Sequence, residues 1–355
     1  MVRRKGRLRL GIIGAGSWAV VAHLPTLGNH SEVDFVGVCR KGDEMLGRIK
    51  ERFGFAVASE DYQTVLAQGC DIVVVASPSA FHYDHVRAAL ESGAHVLCEK
   101  PMTIKPKEAW ALVAAATKAD RQLLMSFGWN YTPMVRGAKQ LIGDRGIGDL
   151  EHLTVHMSST TRELLSNTGA YPAASPETVP EATTWTDPQI SGGGYGQAQL
   201  THALGLALHL FPERVAQAFA FMSAPLEAPV ELHDAIALRF DGGGIGVVSG
   251  GSSHAGAWGD KHQLEVRAIG SEGQVIVDVH RELVWLFRHG GEEHRLTLAD
   301  GAGAYDMTGP ANALVEIALG RGANDCAPGE LGARTVEALD AAYRSHRSGK
   351  AETRL

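Results

Sequence analysis

Apolar and polar positions along this chain fall into two regimes. Up to about residue 127, short unbroken apolar runs alternate with segments whose apolar positions recur every three to four residues. The runs RLRLGII, VDFVGVC, DIVVVA, HVLC and RQLLM predict strands buried on both faces. The intervening segments AVVAHLPTLGNH, EMLGRIKERFG, FHYDHVRAALESG and PKEAWALVAAATKAD predict helices, two of them closed by Gly54 and Gly93. Strand–helix alternation of this kind predicts an α/β, doubly wound parallel sheet covered by helices on both faces.

Beyond residue 127 the period changes. MVRGAKQLIG still reads as a helix. DLEHLTVHMSS then alternates, with Leu153, Val155 and Met157 on one face and His152, Thr154, His156 and Ser158 on the other, as a half-buried strand does. A Pro/Ser/Thr-rich loop is expected from Leu164 to about Ile190, followed by an apolar helix in LTHALGLALHLF. ELHDAIALRF, IGVVSGGSS, HQLEVRAIG, GQVIVDV, LVWLF and HRLTL then follow one another with glycine turns and no helices between them, which predicts a mainly antiparallel sheet. AYDMTGPANALVEIALG and LGARTVEALDAAYRS predict closing helices. The expected division is a dinucleotide-binding domain over 1–127 and an α+β substrate-binding and oligomerisation domain over 128–355. The second sheet is open, so one face needs cover, and a homo-oligomer formed through it is expected.

Composition narrows the classes. The 355 residues are 45% hydrophobic, enough for two cores. A net charge of −7 argues against a nucleic-acid partner, which requires clustered Lys and Arg. The four cysteines, Cys39, Cys70, Cys98 and Cys326, form no CxxC pair, so neither a disulfide framework nor a zinc site is indicated and a reducing cytoplasm is the expected compartment. The start, MVRRKGRLRLGIIGAGSWAVVA, mimics a secretory signal, and Arg3-Arg4 a twin-arginine pair. That reading is set aside because the apolar stretch is itself the first strand and its turn. No apolar run reaches bilayer length, and no membrane partner is expected.

The strongest local signal is Gly14-Ala15-Gly16-Ser17-Trp18-Ala19, a GxGxxA turn between a strand and a helix. The first glycine permits the turn, the second lets backbone approach a pyrophosphate, and Ala19 allows close helix–strand packing. The helix start beyond it, at Ser17 and Trp18, supplies N–H groups for a dinucleotide. The second strand usually ends in an acid that holds the ribose of NAD; here that place falls on Arg40, followed by Lys41. A guanidinium suits a 2′-phosphate, which leans the coenzyme toward NADP; in the alternative, Arg40 lies across the adenine face and NAD binds.

Ligands of doubly wound sheets bind beyond the carboxyl ends of the strands. Two segments fall there: the loop Ser77-Pro78-Ser79-Ala80-Phe81-His82, whose Ser77, Pro78 and His82 are candidate coenzyme contacts, and Glu99-Lys100-Pro101 after HVLC. A lysine beside an oxidised nicotinamide and away from water has a lowered pKa, which suits proton exchange with a carbinol oxygen. Glu99 orients that lysine or caps the following turn. On spacing alone, an exposed lysine opening a helical segment is an equal reading. GWNYTP lies after the fifth strand, where Trp129, Asn130 and Tyr131 offer an aromatic face and polar edges suited to a sugar ring, with a purely structural role an equal reading. His82/His85 and His152/His156 are spaced for a metal but lack a third ligand, so no metal is expected.

GIIGAGSWA, SPSAFHYDHVRAALESGAHVLCEKP and the stretch from Gly192-Gly193-Gly194 to His202 together resemble the Gfo/Idh/MocA family of oxidoreductases, over nearly the whole chain and in the right order. The resemblance implies NAD(P)-dependent hydride transfer at a carbinol carbon of a sugar, glycoside or polyol. It implies that Lys100 is the catalytic lysine, that Glu99 and Lys100 border the coenzyme, that the Lys100–Pro101 peptide is cis, and that His202 contacts the reacting hydroxyl. This chain departs from the pattern at Ala198, where many members carry an aspartate four residues before the histidine. The usual His–Asp relay is therefore missing, which shifts weight onto Lys100. Tyr195 and Gln199 are further candidate substrate contacts, and GYGQAQLTHALG resembles a branch that oxidises glycosides at the C3 hydroxyl. Two rivals stay open: a glycoside-processing enzyme whose NAD cycles internally, and a non-catalytic dinucleotide sensor of the same fold.

Overall fold

The computed structural model describes residues 6–171, 181–254 and 262–355. Arg3 and Arg4 lie outside the described residues, as does the centre of the Pro/Ser/Thr-rich segment. The first sheet has six parallel strands: β1 (Leu8–Ile13), β2 (Val33–Cys39), β3 (Val57–Ser59), β4 (Ile72–Val75), β5 (His95–Cys98) and β6 (Leu123–Met125). Their spatial order is β3-β2-β1-β4-β5-β6, so the chain reverses direction across the sheet between β1 and β4. All four side chains of β4 are fully buried, the condition predicted from its unbroken apolar run. Each such side chain contributes about 1.5–3 kcal/mol relative to exposure. β3, with the short helix Tyr62–Leu66 after it, is an addition to the five strands expected.

The second sheet has nine strands: β7 (Leu150–Ser159), β8 (Val215–Ser223), β9 (His233–Phe240), β10 (Ile245–Ser252), β11 (Gln263–Gly270), β12 (Gly273–Asp278), β13 (Leu283–Arg288), β14 (Glu293–Arg295) and β15 (Glu352–Thr353). They run in the order β14-β13-β12-β11-β7-β10-β9-β8-β15. Every neighbouring pair is antiparallel except β10 and β7, which are parallel. β8 and β15 were not expected. The segment read as a loop from Leu164 to Ile190 contains short helices at Arg162–Leu165, Thr183–Thr186 and Pro188–Ser191.

The two sheets share packing through helices that return from the C-terminal part. Ala311, Leu314, Val315 and Ile317 of the helix Gly309–Ala318 bury against Leu10, Ile12 and Leu124 of the first sheet. The linear division at residue 127 is therefore not the division of the cores: the first core is completed by residues more than halfway along the second segment. The helix Gly329–Ser348 lies between both sheets, with Gly332 against Met125 and Met102, and Ser345 Oγ accepting from the Ala220 amide of β8 at 3.0 Å. The four cysteines are free thiols and buried.

Candidate active site

The carboxyl ends of β1, β4 and β5 converge on one edge of the parallel sheet. Gly14 follows β1 with φ +88°, and a Cβ built there would stand 2.2 Å from the Ser77 amide nitrogen. Only glycine permits both the left-handed backbone and that approach. At Gly16 a Cβ would meet nothing closer than 4.0 Å, so the backbone is open to a ligand. The helix begins at Ser17, and Ala19 packs fully buried behind it. Arg40, just past β2, folds back to donate from Nη1 to the Ala15 carbonyl at 2.8 Å, while its buried Nε has no partner. An open glycine turn, a helix start and an unpartnered guanidinium nitrogen fit a dinucleotide phosphate group. Lys41 is exposed and sits 3.6 Å from Glu60.

Lys100 follows β5, and its peptide bond to Pro101 is cis. Its Nζ donates to the Ala198 carbonyl at 3.0 Å and lies 5.6 Å over the ring of Trp185. Burial pushes the ammonium below its ordinary pKa, with Glu99 opposing the shift. Glu99 is buried, accepts from the Lys100 amide at 3.2 Å and pairs with His23 Nε2 at 2.8 Å. Burial alone would raise the Glu99 carboxyl; the His23 hydrogen bond and charge, with Lys100, outweigh it and hold the pKa below the usual carboxylate value. A carboxylate thus stays ionised behind the lysine. His23 reaches it from a π-helical turn, Ala19–His23, within the first helix. Such turns recur at functional sites.

His202 stands on the helix Thr201–Leu210, which is preceded by a second π-helical turn at Gly196–Leu200. Its ring meets Trp129 edge-on at 5.3 Å, Tyr305 at 5.5 Å and Phe127 at 6.1 Å. Burial first, then the charge of Lys100 and the neighbouring His262, drive its pKa well below the ordinary histidine value. His202 is therefore a neutral imidazole, and its buried Nδ1 has no partner. Where many members of the resembled family have an aspartate, the Ala198 backbone carbonyl receives the lysine instead.

The remaining candidates separate. Trp129 lines the site, in contact with His202, His262 and Tyr305. Asn130 does not: its side-chain amide donates to the Gly205 and Cys326 carbonyls and braces the turn Gly128–Tyr131. Tyr131 is buried with its hydroxyl unpartnered, and burial first, then Cys326 and Asp325, push its pKa up. Tyr195 is fully buried and donates to the Met157 carbonyl at 3.0 Å, so it pins the Gly-rich segment to β7 rather than facing a substrate. Gln199 accepts from Ser159 Oγ at 3.3 Å. His82 is also buried, its nitrogens 2.9 Å from the Pro101 carbonyl and 2.7 Å from the Ser77 carbonyl, which ties the two ligand-edge loops together rather than offering a coenzyme contact. Ser77 Oγ lies 2.8 Å from His85 Nδ1, next to Pro78 at the start of the loop.

Comparison with known proteins identifies the family and the fold. Residues 8–127 match a family model described as "Oxidoreductase family, NAD-binding Rossmann fold", and residues 135–276 match the "GFO/IDH/MocA C-terminal domain". The chain belongs to the Gfo/Idh/MocA oxidoreductases. Among relatives, D-glucoside 3-dehydrogenase of Escherichia coli (strain K12) is 29% identical over 188 residues, 53% of this chain and 49% of that protein. The aligned stretch thus spans about half of that relative's length. Myo-inositol 2-dehydrogenase of Thermotoga maritima is 24% identical over 281 residues, 78% of this chain and 76% of the relative. An oxidoreductase domain protein from Kribbella flavida superposes with a TM-score of 0.80 at 20% identity, over 98% of this chain and 99% of the other. Levoglucosan dehydrogenase, in complex with NADH and levoglucosan, gives a TM-score of 0.75 at 20% identity, covering 98% and 99% of the two chains.

Within this Gfo/Idh/MocA site, four residues escaped the sequence reading: His23, Trp185, His262 and Tyr305. Tyr305 donates to the Ser126 carbonyl, accepts from the Gly128 amide, both at 3.3 Å, and touches Trp18 edge-on at 5.9 Å. It thereby joins the glycine turn to the Trp129 platform. A lone histidine in an otherwise apolar helix was the one available signal, and it pointed to His23.

Proposed function

We propose that this protein is an NAD(P)-dependent dehydrogenase of carbohydrates, oxidising a ring hydroxyl of a sugar or glycoside, with the C3 hydroxyl of a glycoside as the preferred position. The observation that carries this reading is the partly buried Lys100 side-chain amine, beside His202 and over Trp185, at the sheet edge that also bears the open glycine turn. The glycine turn, the start of the first helix and Arg40 would hold the coenzyme, which would supply a hydride acceptor for the substrate carbon. Burial lowers the proton affinity of Lys100, and its deprotonated amine takes the carbinol proton. Ionised Glu99, fixed by His23, stabilises the ammonium that forms, and the Ala198 carbonyl aims it. His202 hydrogen-bonds the same hydroxyl and orients it. The aromatic faces of Trp129 and Trp185 exclude water and suit the apolar faces of a pyranose. Similarity to D-glucoside 3-dehydrogenase supports the choice of a glycoside.

For the coenzyme, the guanidinium of Arg40 favours NADP through charge-assisted hydrogen bonds to a 2′-phosphate. The test is a panel of monosaccharides, alkyl glycosides and inositols, scored with each coenzyme by the absorbance of reduced nicotinamide. Net coenzyme reduction by glycosides, with the lower Michaelis constant for NADP, is expected. No net reduction by any member refutes the dehydrogenase reading, and a lower constant for NAD refutes the coenzyme preference.

A further inference from the structure

Three rings on the Trp129 platform or beside Lys100 each carry a buried polar atom without a partner: His202 Nδ1, His262 Nδ1 and Trp185 Nε1. Buried polar groups are nearly always paired, so three orphans in one place mark where a ligand's polar atoms belong. His262 immediately precedes β11 and rests edge-on against Trp129 at 5.3 Å, the same distance at which His202 meets that ring. Both imidazoles feel the charge of Lys100. Trp185 places its ring 5.6 Å from the ammonium. One alcohol oxygen has a single proton and two lone pairs. Lys100 takes the proton and His202 donates to one lone pair of the reacting hydroxyl; the single lone pair left cannot serve both His262 and Trp185, so at least one of them is left for a second hydroxyl.

We propose that His262 is a specificity-determining residue that hydrogen-bonds a hydroxyl vicinal to the reacting one, so that the site selects carbohydrates bearing a free vicinal diol. This rests on the carbohydrate reading above. Trp185 Nε1, a donor only, serves the far edge of the same diol. The two rings on Trp129 then divide the substrate: His202 orients the oxidised position and His262 reads its neighbour. The missing aspartate at position 198 accords with this division, since neutral His202 is no longer tied to a carboxylate.

The test compares wild type, His262→Phe and His262→Gln on methyl β-D-glucoside and on its 2-deoxy and 4-deoxy counterparts. The readouts are initial rates of coenzyme reduction and, with coenzyme present, quenching of tryptophan fluorescence on titration. Phenylalanine keeps the ring on Trp129 and removes the hydrogen bond; glutamine restores a hydrogen bond. Wild type should lose about 10- to 100-fold in kcat/KM when one of the two neighbouring hydroxyls is removed. His262→Phe should lose a similar factor on the parent glycoside and nothing further on that deoxy sugar, His262→Gln should recover part of the loss, and coenzyme affinity should stay unchanged. Equal losses on all three sugars, or no loss, overturn the inference while leaving the carbohydrate reading intact. Should His262→Phe fail to bind coenzyme, His262→Ala carries the test with the same two outcomes. A wild type that neither turns over nor binds any of the three sugars removes the carbohydrate reading and this inference with it.

Discussion

At the scale of single residues, the site is governed by which groups stay neutral. A buried lysine is disfavoured as an ammonium, and Glu99 recovers only part of that cost. Lys100 accepts a proton only when unprotonated. Carbohydrate oxidation should therefore be fastest above its depressed pKa and should fall as pH drops through it; reduction of the ketone, which needs the ammonium, should show the opposite slope. The pH profile of kcat/KM in both directions checks this, and an oxidation rate that climbs only near the ordinary lysine pKa of about 10.4 contradicts it. The residues that define this chemistry were unequally legible. Gly14 and Gly16 announced themselves because a turn between strand and helix is a local event, whereas Lys100 at its strand end read equally well as an exposed lysine until the family resemblance gave it a role. His23 is 76 residues from the carboxylate it holds, and Lys100 is 98 from the carbonyl that aims it, so neither partnership leaves a periodic trace. Asn130, Tyr195 and His82 looked like ligand contacts by position, yet burial assigned their polar atoms to backbone groups.

At the scale of elements, the Gly-rich segment before His202 is held from outside. Glu231 accepts from the Gly194 amide at 2.8 and 2.9 Å, from the Gly196 amide at 3.1 Å and from the Tyr343 hydroxyl at 2.5 Å. A Cβ on Gly193, at φ +155°, would lie 2.3 Å from that hydroxyl, so the segment and the helix Gly329–Ser348 fit with no room for a side chain. This clamp sets where the Ala198 carbonyl meets Lys100. Glu231→Ala leaves those amides and the hydroxyl unpaired and should cost about 1–3 kcal/mol in urea unfolding, with a fall in kcat that Glu231→Gln partly restores. Wild-type stability and turnover in Glu231→Ala would remove the clamp from the account. The missed strands have physical reasons as well. β3 is three residues long. β8 sets Ala218, Ala220 and Met222 inward and Phe219 and Phe221 outward, so it lacks the polar contrast by which a half-buried strand is read.

At the scale of the molecule, the nine-stranded sheet turns an apolar face outward. Phe221 is 68% exposed, Ile245 51%, Ile269 46% and Val247 41%. Strand register places them on one surface: Val247 and Phe219 both pair with Ala237, and Ile245 and Ile269 both pair with His152. We infer that a second copy of this chain covers the face, since an open sheet with exposed apolar side chains needs cover. Sedimentation at micromolar concentration should give a dimer or larger, and Phe221→Asp with Val247→Glu should shift it toward monomer; a monomeric wild type contradicts the inference. The parallel character of the first sheet, its glycine turn and the mainly antiparallel second sheet were legible in the run of apolar and polar positions, whereas the order of the strands was not. The return of the helix Gly309–Ala318 to the first core was not, because its apolar stripe says that it packs but not on which sheet. The central claim remains that the Lys100 amine moves the proton while hydride leaves the carbohydrate. Its most direct test is the single-turnover rate of nicotinamide reduction in Lys100→Met at saturating coenzyme and glycoside. The account predicts a fall of about 10²–10⁴-fold with coenzyme affinity retained; a rate equal to that of the wild type would contradict it.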